Sequence, residues 1–116
     1  MSFRHAWDGV WYVLCNERNA RIHVAATVAV LLLSAWLRLE PVEWALIGVA
    51  IGMVFAGEMM NTVVELMVDM LMPREHELAK HAKDVAAGAI LVFALTAAFI
   101  GAVVLGARLL ARLGLG

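Results

Sequence analysis

Three long apolar runs constrain what this chain can fold into. Residues 24–37, 44–57 and 85–107 contain no charged side chain. A helix needs about 20 mainly apolar residues to cross the hydrocarbon core of a bilayer. Only 16% of the 116 residues are charged, whereas about a quarter are charged in a soluble domain. The sequence therefore predicts one all-α membrane domain, residues 1–116, with three transmembrane helices at about 20–38, 43–72 and 84–108.

The segment before the first span has a different pattern. Phe3, Trp7, Val10, Trp11 and Leu14 recur at helical spacing among polar residues. Indole side chains favour the level of the lipid headgroups. The pattern predicts an amphipathic helix on the membrane surface, at about residues 2–16.

The connections between the spans differ in charge. Pro41 lies in the first connection, and Pro73 is expected to end the second span. Lysine and arginine favour the cytoplasmic side of a membrane protein, and they concentrate before the first span and after the second. The basic residues concerned are Arg4, Arg18, Arg21, Arg74, Lys80 and Lys83. We therefore expect the N-terminus and the second connection to face the cytoplasm. A net charge of −1 gives no support for binding nucleic acid.

Four polar residues interrupt the second half of the second span. Glu58, Asn61, Glu65 and Asp69 share one face, because offsets of three, seven and eleven residues keep nearly the same direction on a helix. A carboxylate inside the membrane is costly unless it is paired or functional. A bound metal ion, a basic side chain from another segment, or a water-filled pore would each neutralise this acidic stripe.

Further polar residues are expected at the same membrane level. Glu17 precedes the first span, and Lys83 and Asp84 lie at the start of the third. Mg²⁺ prefers a few carboxylates together with substrate phosphates, and a lysine can contact phosphate oxygens. The residues alone leave three interpretations open, namely a phosphate-handling enzyme, an ion or proton pathway, and a structural membrane subunit. The histidines at 23, 76 and 81 match no common zinc spacing and are interpreted as interfacial side chains.

Three motifs resemble one protein family in order and spacing. Residues 58–69, EMMNTVVELMVD, resemble the E-x-x-N-[ST]-x-x-E-x-x-x-D signature of the prokaryotic diacylglycerol kinase family. Residues 76–89, HELAKHAKDVAAGA, resemble its second motif, and residues 16–19, NERN, resemble its first. Residues 17–23 and 78–89 are more similar to the branch that acts on undecaprenol than to the branch that acts on diacylglycerol. Ala20 and Asp8 depart from that branch.

The resemblance implies a fold and a set of roles. It implies a homotrimer of three-span subunits, each with a surface helix, whose active sites are shared between subunits at the cytoplasmic interface. Glu58 would be the general base for the lipid hydroxyl, and Glu17 and Glu65 would bind Mg²⁺. The residues expected to bind the nucleotide are Glu17, Asn61, Glu65, Asp69, His76, Lys83 and Asp84.

The function implied by the resemblance is that of a lipid kinase. The chain would phosphorylate undecaprenol or diacylglycerol, using ATP and Mg²⁺, as a multi-pass protein of the bacterial cytoplasmic membrane. Phosphoryl transfer needs mainly positioning and neutralisation of charge. A carboxylate in a poorly hydrated place takes up a proton more readily, and Glu58 is expected to lie deepest in the stripe.

Overall fold

The structure is a computed structural model that describes residues 3–71 and 76–115. Within these two ranges the only regular secondary structure is helical, which confirms the all-α class. The helices are α1 (Phe3–Asn16), α2 (Arg18–Leu37), α3 (Pro41–Leu71) and α4 (Glu77–Arg112). The last three are long and apolar enough to cross a membrane. The chain is therefore a multi-pass membrane protein, as predicted, and its assembly as a homotrimer stays a prediction.

A fixed corner separates α1 from α2 at Glu17. This residue is extended, with φ −109° and ψ 113°, and its amide donates to the Val13 carbonyl at 2.8 Å. The Arg21 guanidinium folds back and donates to the carbonyls of Leu14 at 3.3 Å and Cys15 at 2.9 Å. The last carbonyls of a helix have no partner within that helix. Arg21 supplies one, and so holds the end of the surface helix against the first span.

The connection between α2 and α3 is short and locally determined. Arg38 adopts the left-handed conformation, φ 55°, and its amide donates to the Ala35 carbonyl. Pro41 is the first residue of α3, a position that suits its fixed φ and missing amide hydrogen. The Glu43 carboxylate accepts a hydrogen bond from the Glu40 amide at 2.9 Å. This is one half of a capping box, and it sets where α3 begins.

The helices α3 and α4 form the most extensive packing in the chain. A Cβ atom on Gly57 would lie 2.5 Å from Cδ2 of Phe93, so only glycine allows this close approach. Small residues commonly let membrane helices pack closely. The buried apolar core lies toward the other end of this pair and comprises Leu37, Leu39, Ile47 and Val104.

The outer face of α4 is apolar and exposed. Leu91, Leu95 and Phe99 follow one another at a spacing of four residues and are 59–69% exposed. Residues four apart share one side of a helix, so they form a continuous apolar surface. In a membrane protein such a surface lies against lipid or against another protein chain.

Helix α4 is longer than the third span that hydropathy predicted. It begins at Glu77, ahead of the expected start at 84, and continues to Arg112. The His76 ring accepts a hydrogen bond from the Leu78 amide at 3.0 Å and caps the helix. The first turns of α4 are thus a polar extension of the membrane helix. The predicted end of the second span at 72, its stop at Pro73 and the basic Arg74 lie outside the described residues.

Candidate active site

The acidic stripe lies on one face of α3, and its burial falls along the helix. Glu58 is 2% exposed and Asn61 is 9% exposed. Glu65 is partly buried, and the Asp69 side chain is 65% exposed. Asp69 follows Glu58 by eleven positions, a rise of about 16 Å at 1.5 Å per residue. One helix face therefore offers a desolvated carboxylate at its inner end and a solvated carboxylate at its outer end.

Glu58 sits against a histidine from the first span. Its Oε1 atom lies 3.2 Å from Nε2 of His23. Among the described residues, Oε1 nevertheless has no well-directed hydrogen bond. The His23 ring also contacts Phe55 edge to face, with 6.4 Å between the ring centroids. The inner end of the stripe thus has a buried oxygen that can accept a further hydrogen bond.

Asn61 and Glu65 form the middle of the stripe. The Asn61 side-chain amide donates to Oε1 of Glu65 at 3.1 Å. The carbonyl oxygen of the same side chain, Oδ1, is buried with no partner among the residues that the structure describes. Buried polar atoms in native proteins nearly always have a partner. An unpaired amide oxygen beside a carboxylate is a pair of oxygen ligands of the kind that Mg²⁺ prefers.

The outer end of the stripe connects α3 with α4. Nζ of Lys83 lies 2.6 Å from Oδ1 of Asp69, and the two side chains are 43% and 65% exposed. Asp84 instead pairs with Lys80, one turn earlier on the same helix, at 2.7 Å. Lys83 and Asp69 are therefore brought together across the helix pair, whereas Asp84 is held by its own helix.

The two remaining candidates stand at helix starts. His76 uses its ring to cap α4, and Glu17 occupies the cap position of α2 without a side-chain cap hydrogen bond. In the described part of the chain, no three His, Cys, Asp or Glu side chains gather closely enough to hold a metal ion. The candidate residues thus form separate pairs, and Glu17 is joined to none of them.

His23 is the residue that sequence reasoning missed. Spacing alone placed it among interfacial histidines, because it is the last polar residue before the first uncharged run. In the structure its side chain is 27% exposed and faces Glu58. Its position in the sequence could have indicated this contact, since a titratable side chain at the edge of a span faces either the headgroups or the protein interior.

A lateral cleft leads from the apolar part of the protein to His23. It has a volume of about 270 Å³ and lies between α2, α3 and α4. Its walls are formed by alanine, glycine, valine and isoleucine, with His23 and Thr27 as the polar contributors. An apolar lining with a few polar side chains is the usual character of a ligand-binding cleft.

The described geometry is that of a membrane protein with an acidic stripe on α3 and a lysine of α4 beside its outer end. A sequence profile described as prokaryotic diacylglycerol kinase matches residues 4–105. The chain therefore belongs to the prokaryotic diacylglycerol kinase family, and the prediction of a lipid kinase is confirmed at this level. This finding favours the enzyme over an ion pathway or a structural subunit.

Individual relatives carry two different activities in their names. The chain is 44% identical over 100 residues to the undecaprenol kinase of Bacillus subtilis (strain 168), covering 86% of this chain and 81% of that protein. It is 42% identical over 102 residues to a diacylglycerol kinase of Synechocystis, covering 87% of this chain and 58% of that protein. A diacylglycerol kinase of Escherichia coli (strain K12) is 26% identical over 88 residues, covering 76% of this chain and 72% of that protein.

Proposed function

We propose that this chain transfers the γ-phosphoryl group of ATP to the hydroxyl of a membrane lipid alcohol. The 44% identity to an undecaprenol kinase, over 81% of that protein, supports undecaprenol as the preferred acceptor over diacylglycerol. The observation that carries the proposal is the burial gradient of the stripe, from Glu58 at 2% exposure to Asp69 with a side chain 65% exposed. A lipid hydroxyl arrives from the bilayer and a nucleotide arrives from water. The two ends of one helix face suit these two reactants.

Glu58 is the general base in this proposal. The hydroxyl oxygen of the lipid attacks the γ-phosphorus, the bond between that phosphorus and the bridging oxygen of ADP breaks, and Glu58 takes the hydroxyl proton. Its Oε1 atom is buried and has no hydrogen bond in the described residues, so it is free to accept one from the hydroxyl. General base catalysis of this kind contributes about 10² to 10⁴-fold in rate.

Magnesium fits the donor atoms of the middle of the stripe. Glu65 offers a carboxylate for the ion, and Asn61 beside it keeps an amide oxygen without a partner among the described residues, which leaves that oxygen to the reacting groups. Mg²⁺ is usually bound by one or two carboxylates plus phosphate oxygens and water, so a site without three protein carboxylates suits it. In our proposal Glu65 and Glu17 hold the ion, which supplies positive charge next to the phosphates, and Asn61 orients the reacting groups.

The exposed end of the helix pair binds the nucleotide. Lys83 contacts phosphate oxygens. Its ammonium group now lies 2.6 Å from Asp69, and it stays paired with a negative group when a phosphate replaces this partner. Asp69, His76 and Asp84 surround the rest of the nucleotide. All four side chains lie at the ends of α3 and α4 that project beyond the apolar runs.

Assembly and location complete the proposal. The protein works as a homotrimer in the bacterial inner membrane, with its sites facing the cytoplasm and shared between subunits. Two features support sharing, namely the separation of Glu17 from the other candidate pairs and the exposed apolar face of α4 formed by Leu91, Leu95 and Phe99. A partner subunit covering that face brings a second set of side chains to the stripe.

The experiment is a phosphate-transfer assay with purified protein and radiolabelled ATP. Undecaprenol and diacylglycerol are offered separately, each with Mg²⁺ and each with excess chelator. We expect labelled lipid only with Mg²⁺, and a higher kcat/KM for undecaprenol. Absence of labelled product with both lipids refutes the kinase proposal. A higher kcat/KM for diacylglycerol refutes the choice of acceptor alone.

A further inference from the structure

We infer that His23 is a positioning residue for Glu58, an inference that rests on the proposed function and assigns a part to a side chain outside the family motif on α3. The proposal is that the His23 imidazole holds the carboxylate of Glu58 in the orientation that receives the lipid hydroxyl. The two residues come from different helices, α2 and α3. Their contact therefore depends on the tertiary structure and not on the local sequence.

The burial of Glu58 requires such a neighbour. A carboxylate that is 2% exposed has almost no water around it, and a buried carboxylate is unfavourable unless other groups interact with it. Thr62, one turn away, uses its hydroxyl on the Glu58 backbone carbonyl at 2.9 Å and not on the carboxylate. The Nε2 atom of His23, at 3.2 Å, is within reach of Oε1.

The contact is close but not yet aligned, which suits a site that tightens around its substrate. The two atoms are within hydrogen-bond distance, yet Oε1 has no hydrogen bond from the described residues. Hydrogen bonds in catalytic sites are often poorly aligned without ligands and become shorter and straighter in the complex. Rotation of the imidazole would complete this one.

The position of His23 in the cleft explains why it matters to the lipid reaction. His23 lines the cleft between α2, α3 and α4, and of the described residues it is the only titratable one in the lining. A lipid hydroxyl approaching Glu58 along the cleft would pass this imidazole, which fixes the carboxylate from one side and leaves the other side to the hydroxyl.

The test compares four proteins, namely the wild type and the variants His23→Leu, His23→Gln and His23→Asn. Leucine keeps the bulk and removes the hydrogen-bond donor. Glutamine carries an N–H donor at nearly the reach of Nε2, and asparagine carries the same amide on a shorter side chain. We measure kcat and KM for Mg-ATP and for the lipid, and we check assembly by size-exclusion chromatography in detergent.

The expected result is a fall in kcat of about 10- to 100-fold for His23→Leu, the range for groups that orient a functional residue. The KM for Mg-ATP should stay within about twofold, and His23→Gln should recover most of kcat. A merely structural role would not separate kcat from KM in this way. If the leucine variant does not assemble, the comparison of glutamine with asparagine decides, and glutamine should be faster by about tenfold.

Two outcomes overturn the inference while leaving the kinase intact. One is an assembled leucine variant with wild-type kcat, and the other is equal rates for the glutamine and asparagine variants. A wild-type protein that phosphorylates no lipid alcohol overturns the proposed function, and this inference with it.

Discussion

The two ends of the α3–α4 pair differ in how far their partly or fully buried polar groups are hydrogen-bonded. At one end Arg108 donates to both oxygens of Glu43, at 2.6–2.9 Å, and also lies 3.2 Å from Glu40. At the other end the buried Glu58 and Asn61 each keep an oxygen without a hydrogen bond among the described residues. Buried polar groups are nearly always hydrogen-bonded, and an unpaired one calls for an explanation such as a catalytic role or a bound ion.

This contrast indicates that the Arg108 end of the helix pair stabilises the fold and that the Glu58 end serves catalysis. The Arg108 end has a second cationic contact, since the Arg112 guanidinium lies 4.4 Å from the Trp36 ring centroid. The hydroxyl of Ser34 on α2 is also buried without a partner among the described residues, but no carboxylate at that end lacks one. We therefore expect substitutions at the Arg108 end to change stability, and substitutions at the Glu58 end to change catalysis.

The largest effect should come from Glu58→Gln. The amide has the same shape but cannot take up the hydroxyl proton, so we expect lipid phosphorylation to fall by about 10³-fold. Stability should not fall, because a neutral amide is easier to bury than a carboxylate. Initial rates from radiolabelled ATP and size-exclusion chromatography measure the two properties.

The matched control is Glu77→Gln, which neutralises a side chain that is 85% exposed and 3.7 Å from His81. It should have the wild-type rate. A Glu58→Gln protein within tenfold of the wild-type rate would remove Glu58 from the role of base, and the contrast between the two ends would lose its main support.

The second effect concerns Lys83, at the exposed edge of the stripe. We expect Lys83→Gln to raise KM for Mg-ATP by about 10- to 100-fold, because the variant can no longer form a hydrogen bond between a charged ammonium group and a phosphate oxygen. Steady-state kinetics at saturating lipid measure this change. Lys80→Gln is the control, since Lys80 is 72% exposed and pairs with Asp84 on its own helix. Equal changes in KM for both variants contradict a specific phosphate contact.

At the opposite end, Arg108→Gln should change stability and spare catalysis. Its removal leaves the Glu43 carboxylate, which is 19% exposed, without its charged partner. Removing one partner of such a pair destabilises the fold by more than the intact pair stabilises it, because the remaining charge is left unpaired. We expect the apparent Tm in detergent to fall by about 10 °C, with kcat per assembled protein unchanged.

Arg112→Gln provides the graded comparison, because it removes only the contact with Trp36. Its apparent Tm should fall by less than half as much. A loss of activity in Arg108→Gln at a temperature where the protein remains assembled would contradict the division between the two ends.

The sequence predicted the spans and the stripe because both depend on local periodicity. Uncharged runs define membrane helices whatever their partners, and the spacing of residues 58, 61, 65 and 69 places them on one face before any packing is known. The order of burial along the stripe also followed from the sequence, since Glu58 lies next to the uncharged half of α3. The roles of the site residues remain predictions.

The sequence did not predict the contact of His23 with Glu58 or the true start of α4. The first depends on how α2 is rotated against α3, and periodicity within one helix carries no information on that rotation. The second was hidden because hydropathy marks the apolar span and not the helix. The polar turns from Glu77 onward are helical, capped by His76, and held by pairs such as Lys80 with Asp84.

The smallest effect should come from Gly57→Ala, and it tests whether close packing of α3 against α4 positions Glu58. The new Cβ would lie 2.5 Å from Cδ2 of Phe93, so the ring or the helix must shift. Overpacking of this kind costs about 1 kcal/mol or somewhat more.

Gly52→Ala is the control on the same helix, because its Cβ meets no atom within 4 Å. Because Gly57 adjoins Glu58, the shift should also lower kcat by a few-fold, and thermal unfolding together with initial rates measures both changes. Equal stability of the two alanine variants would mean that close helix contact does not position the buried carboxylate.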